Sequence, residues 1–215
     1  MQTFNEYLTK TESAVRLLFG GIDSYLVVLR GITGVTFVTP QPFGPAFDAD
    51  FSAWQLANAG VLTATREAER KFLAESFALD TLCGAVFHVA ERALEVYSTN
   101  TTVPPEWADI ATSRKAKYCI GRLVRTVPLG LVIYAARNRH AHYNENSLHE
   151  PSATVFEHLA TDHGYSTAET FRDPAFDLNN PVLNSCAHNA MALIGNGAES
   201  LHEALLFRTD DEVET

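Results

Sequence analysis

The chain has 215 residues, 46% of them hydrophobic and 20% charged, which gives enough apolar material for a folded core and excludes a disordered tail. Sixteen Lys and Arg against twenty-six Asp and Glu leave a net charge of -10, so a protein that coats nucleic acid or anionic membrane by bulk electrostatics is excluded too. The first residues lack the basic and apolar regions of a secretory leader, and no stretch reaches the roughly 20 apolar residues of a membrane span. Cys83, Cys119 and Cys186 are too scattered for a disulfide framework or a zinc ribbon. The expectation is a reduced, cytoplasmic protein with no membrane partner.

In chain order, Asn5 to Arg30 carries Val15, Leu18, Ile22, Leu26 and Leu29 on one side and predicts a helix or helix pair, with Gly20-Gly21 as a weak point. Ile32 to Asp48 holds Pro40, Pro42 and Pro45 and reads as a loop, with a short strand in prospect at Val35 to Val38. From Phe51 to Tyr97 there is no proline, and Phe72, Leu79, Leu82, Cys83, Val86, Ala90, Ala93 and Tyr97 recur at helical spacing. One long helix, or two joined end to end, follows. His88 inside it reads as a core histidine, and Trp54 and Trp107 as packing residues.

Ser98 to Pro105 is a break. Beyond it come a predicted helix over Ser113 to Thr126, an interruption at Pro128-Leu-Gly130, and an apolar helix running into Arg137 to Tyr143. Gly164 to Pro181 reads as a loop and Pro181 to Phe207 as the last helix, weakened at Gly195 and Gly197. The sum is one all-α domain over residues 1–208, a bundle of five or six helices, with an acidic frayed tail at 209–215.

The charge is unevenly spread. Between Asp109 and Glu145 there is no acid, yet Arg114, Lys115, Lys117, Arg122, Arg125, Arg137 and Arg139 fall there, a +7 interval in a -17 background. On a helix at about 100° per residue, Arg114, Lys117, Tyr118, Arg122 and Arg125 share one face while Ala116, Ile120, Leu123 and Val127 share the other. Two readings stay open for that cationic face: neutralisation by acids of neighbouring helices, or contact with a phosphate backbone with Tyr118 stacking on a base.

The basic interval ends in Ala135-Ala-Arg137-Asn138-Arg139-His140-Ala141-His142-Tyr143. Cutting RNA without a metal needs a proton acceptor and donor, which a histidine supplies near neutrality, and a cationic fork for the charge that builds on phosphorus, which arginine supplies. Arg137, Asn138 and His142 fit those needs: Asn138 lies four residues before His142, on the same side of a helical turn, and is a candidate to orient its imidazole or the substrate. Arg137 and His142 stand about 140° apart on a helix, so they converge at a frayed end or across a dimer.

The string Arg137-Asn138, three residues, His142 at the end of an apolar helix resembles the signature of the HEPN superfamily. That resemblance implies an all-α, metal-independent endoribonuclease of the toxin or defence kind, needing no cofactor. It also implies a homodimer with a composite cleft, an RNA substrate, and an antitoxin or regulatory protein as a further partner. With the basic approach it adds Arg114, Lys115, Lys117, Tyr118, Arg122, Arg125, Arg139, His140 and Tyr143 as RNA contacts. HEPN toxins of the nucleotidyltransferase-paired group carry a tyrosine two places after the histidine; here Asn144 stands there and Tyr143 comes directly after His142.

Two rivals remain. One is a non-catalytic helical module for dimerisation or for binding a nucleotide or protein, whose sign would be an occluded His142 or a salt-bridged Arg137. The other is a metal site among His140, His142, Glu145, His149, Glu150, His158 and His163, although His140 and His142 diverge on a helix. Nucleophile-elbow, P-loop and dinucleotide signatures are not found in the sequence.

Overall fold

Apolar residues at three- and four-residue steps build three long helices: α1 (Phe4–Arg30), α2 (Pro45–Ala57) and α3 (Ala59–Tyr97). The structure, a computed structural model, describes residues 3–30, 35–142, 148–164, 172–180 and 187–195. α1 begins at a capping box, in which Thr3 and Glu6 exchange hydrogen bonds of 2.8 and 3.2 Å, and it runs unbroken through Gly20-Gly21. α2 starts at Pro45, earlier than the proline count suggested, because a fixed φ suits the first helical turn. Asn58 joins α2 to α3, its side chain donating to the carbonyl of Trp54 at 2.8 Å. No strand forms at Val35 to Val38.

The chain divides into two compact units, Gly21–Leu79 and the remainder. Gly21–Leu79 holds an aromatic cluster in which Phe37 meets Phe47, Phe51 and Trp54 at ring distances of 5.1–5.5 Å. None of the residues of α2 is buried, and Phe43 and Leu56 are largely exposed.

The other unit centres on α4 (Leu129–Ala141), whose first two turns are buried on every side, from Leu129 through Ile133 and again at Ala135 and Ala136. α5 (Ser152–Thr161) and α6 (Ala187–Ile194) pack on it, Val155, Phe156, Leu159, Ala190, Met191 and Ile194 supplying the apolar side. α3 contributes Cys83, Val86, Phe87, Ala90 and Ala93 to this core. The start of α1 lies antiparallel to its end, with the Tyr7 hydroxyl donating to the carbonyl of Val89 at 3.0 Å and the Phe4 and Tyr7 rings against Tyr97. Six α-helices, two 3₁₀ helices and a single two-residue-strand hairpin make this an all-α protein among the described residues.

Three readings need correction. The helix expected over Ser113 to Thr126 is instead a 3₁₀ helix (Ser113–Tyr118) followed by a hairpin of β1 (Leu123–Val124) and β2 (Val127–Pro128). Its turn puts Arg125 at φ 56, a conformation that an α-helix excludes. Gly130, read as a break, lies inside α4: a side chain there would strike the carbonyl oxygen of Tyr118, so glycine admits the 3₁₀ helix against the start of α4. α5 was not foreseen at all. The last predicted helix is described only over Ala187–Ile194, and the tail and Cys186 lie outside the described residues. Contrary to the sequence reading, Leu73–Tyr97 is long and apolar enough to cross a bilayer, at a mean hydropathy of 1.3. A third of its most apolar window is buried, Val86, Phe87 and Ala90 wholly so, while Leu73 and Phe77 are largely exposed.

Candidate functional site

The last turn of α4 leaves the core and becomes polar, with Arg137, Asn138, Arg139 and His140 all half-buried. Asn138 is held from two sides. Its amide nitrogen donates to the buried Ser152 hydroxyl of α5 at 3.1 Å, which turns its Oδ1 toward Arg137 Nη1, also at 3.1 Å. The guanidinium is therefore positioned by a side-chain relay, and among the described residues no carboxylate pairs with it within 4 Å.

His140 turns to α3, where its ring lies over Gly84 and its Nδ1 is 3.3 Å from Asp80 Oδ2. Asp80 Oδ1 accepts the backbone N–H of His188, in the first turn of α6, at 3.3 Å, with His188 Nδ1 3.6 Å away, an ion-pair distance rather than a hydrogen bond. Burial works against the Asp80 charge, but the contacts from His188 and His140 outweigh it and hold the carboxyl below its usual value. One carboxylate thus fastens α4 and α6 to α3.

Beside this fastening an open cleft of about 540 Å³ lies between α3, the Ser113–Tyr118 turn and α4. His88, Glu91, Arg92 and Glu95 line it from α3, Lys115 and Tyr118 from the turn, and Tyr134, Arg137 and Asn138 from α4. The Tyr118 hydroxyl donates to Glu91 at 2.7 Å, both groups being buried. Burial, and then that hydrogen bond, push the phenol well above its ordinary pKa. Lys115 Nζ sits 2.5 Å from the Tyr134 hydroxyl and 3.9 Å from the centre of its ring. Glu95 is taken up by Arg92 at 2.5 Å. Chemically the cleft offers a preset guanidinium, an ammonium and an imidazole, a donor set suited to an anionic phosphodiester.

No protein-family model, curated protein or solved structure matches the chain.

The residues singled out in the sequence divide sharply. Arg137 and Asn138 come together in the cleft with Lys115, whereas His142 is the exposed C-cap of α4, at φ -118, and does not line it. The remaining cations are dispersed by the loss of the expected helix. Lys117 donates to the carbonyl of Glu95 and Arg122 to that of Ile194, both at 2.5 Å. Arg125 pairs with Asp173 at 2.5 Å, its guanidinium lying over the Phe176 ring. Arg114 is exposed and Arg139 half-buried. Tyr118, expected to stack on a base, is only 4% exposed and is a structural phenol. His140 belongs to the Asp80 fastening, and Tyr143 lies outside the described residues, as does Glu145. His158 pairs with Asp162 at 2.7 Å and packs on Trp107. Among the described residues no group of three His, Cys, Asp or Glu side chains is arranged to hold a metal ion.

His88 is the clearest miss. It is exposed at the cleft, not a core residue. A signal was present: Asp80, Gly84, His88, Glu91 and Glu95 fall within about 80° of one another on an ideal helix, a polar stripe along an otherwise apolar one.

Proposed function

We propose that the chain is a metal-independent endoribonuclease of the HEPN type, acting as a homodimer in the cytoplasm in a toxin or defence role. The observation that carries the reading is the Ser152–Asn138–Arg137 relay, which aims an arginine with no carboxylate partner among the described residues into an open cleft already holding Lys115. A guanidinium fixed in this way costs little reorganisation when negative charge builds on phosphorus. His142 at the end of α4 is exposed, as a group that completes a site with a second copy must be. Attack of the ribose 2′-hydroxyl on phosphorus would give a cyclic phosphate and a 5′-hydroxyl end.

The test is cleavage of a varied RNA pool in EDTA. Arg137→Ala and His142→Ala should each lower the rate by about 10²–10⁴-fold with the dimer intact. A wild-type protein that cuts nothing under those conditions overturns the reading.

A further inference from the structure

Among the described residues, the other side-chain proton acceptors lining the Arg137 cleft are engaged. Glu91 is buried and accepts from Tyr118 at 2.7 Å, Glu95 holds Arg92 at 2.5 Å, and the Tyr134 hydroxyl is bound by the Lys115 ammonium. His88, exposed on α3 and lining the same cleft, has no hydrogen-bond partner among the described residues. We infer that His88 is the general base of the cleft, so that one copy of the chain carries both the cationic fork and the proton acceptor. The inference rests on the ribonuclease reading and goes beyond it, because that reading relies on His142 and a second copy.

The step balances without a cofactor. The neutral imidazole of His88 takes the proton of the ribose 2′-hydroxyl as its oxygen bonds to phosphorus, while Arg137, steadied by Asn138, holds the non-bridging oxygens. The bond from phosphorus to the 5′-oxygen breaks with its electron pair on that oxygen. His142 of the second copy, as the imidazolium, protonates the 5′-oxygen, and the proton taken up by His88 returns to it through water.

The full chain is assayed in EDTA with an RNA oligomer and with uridine 3′-(p-nitrophenyl phosphate). His88→Ala and His88→Gln are compared with wild type and His142→Ala. The expected result is a loss of about 10²–10⁴-fold in kcat for both His88 variants, with RNA affinity and helical circular dichroism unchanged. The loss should be equal on the nitrophenyl ester, since a better leaving group relieves a missing acid but not a missing base. Mixing His88→Ala with Arg137→Ala protein should restore nothing, because both groups are needed in one copy. A His88→Ala protein as active as wild type beside a dead His142→Ala overturns the inference and leaves the ribonuclease reading standing. Recovery on the nitrophenyl ester, or restored activity on mixing, also overturns it. Wild-type protein inactive on both substrates overturns both.

Discussion

Substituting Gly84 with alanine sets two effects of opposite sign against each other. Gly84 lies in the interior of α3, where glycine costs about 1 kcal/mol relative to alanine through backbone entropy, so taken alone the change stabilises. The added methyl, however, would overlap the Cγ, Cδ2 and Nε2 atoms of His140, roughly 1 Å or more inside the ~3.5–4.0 Å optimum for such contacts. Overpacking of this kind costs about 1–3 kcal/mol, and a displaced ring also gives up its contact with Asp80. The clash should win by about 1–2 kcal/mol, lowering the melting temperature by about 2–8 °C at 2–4 °C per kcal/mol for a chain of this size. In a His140→Ala background the obstacle is gone, and the same change should raise the melting temperature by about 2–4 °C. A double-mutant cycle followed by circular dichroism measures this reversal of sign, with an expected coupling of about 2–3 kcal/mol. Equal effects of Gly84→Ala in the two backgrounds would show that the imidazole does not rest on Gly84, and the account of how α4 is fastened to α3 would fail.

Two further predictions concern pH. The Tyr118 phenol has its folded-state pKa raised by burial and by Glu91, so the stability it contributes is complete below the unfolded value near 10 and is lost as pH rises above it. Tyr118→Phe should flatten the alkaline limb of a urea-denaturation series, while costing about 1–3 kcal/mol at neutral pH by stripping a donor from buried Glu91. A variant with an unchanged alkaline limb would count against this assignment. Asp80, whose folded pKa is lowered, contributes stability that is complete above about pH 4 and is lost as pH falls through the folded value. Asp80→Asn should therefore be less stable at neutral pH and lose less below pH 4 than wild type, as acid denaturation monitored by circular dichroism would show.

What the sequence revealed depended on how far a pattern ran. α1 and α3 extend for 27 and 39 residues, so their apolar periodicity outweighs Gly20-Gly21 in one and a stray histidine in the other. The stretch Ser113 to Val127 shows the same spacing for only four turns. There Arg125 in a left-handed turn and the contact between Gly130 and Tyr118 override it, and both depend on tertiary approach rather than local propensity. α5 escaped notice because its buried Val155, Phe156, Leu159 and Ala160 are interleaved with Ser, Thr, Glu and His. The Arg137-Asn138 pair was legible because adjacency and composition suffice to mark it. Its support was not: Ser152 is fourteen residues on, and the cleft partners His88 and Lys115 come from elements whose apposition no local pattern encodes.

The chain contains two tryptophans, and the fold puts one in each unit. Trp54 stands half-buried among phenylalanine rings in Gly21–Leu79, while Trp107 is sealed at 1% exposure against His158 in the other unit. The protein therefore carries two intrinsic fluorophores with distinct surroundings. Replacing Trp54 or Trp107 with phenylalanine leaves a single emitter that reports on one unit alone, so the melting of each can be followed in the full chain without attaching a dye.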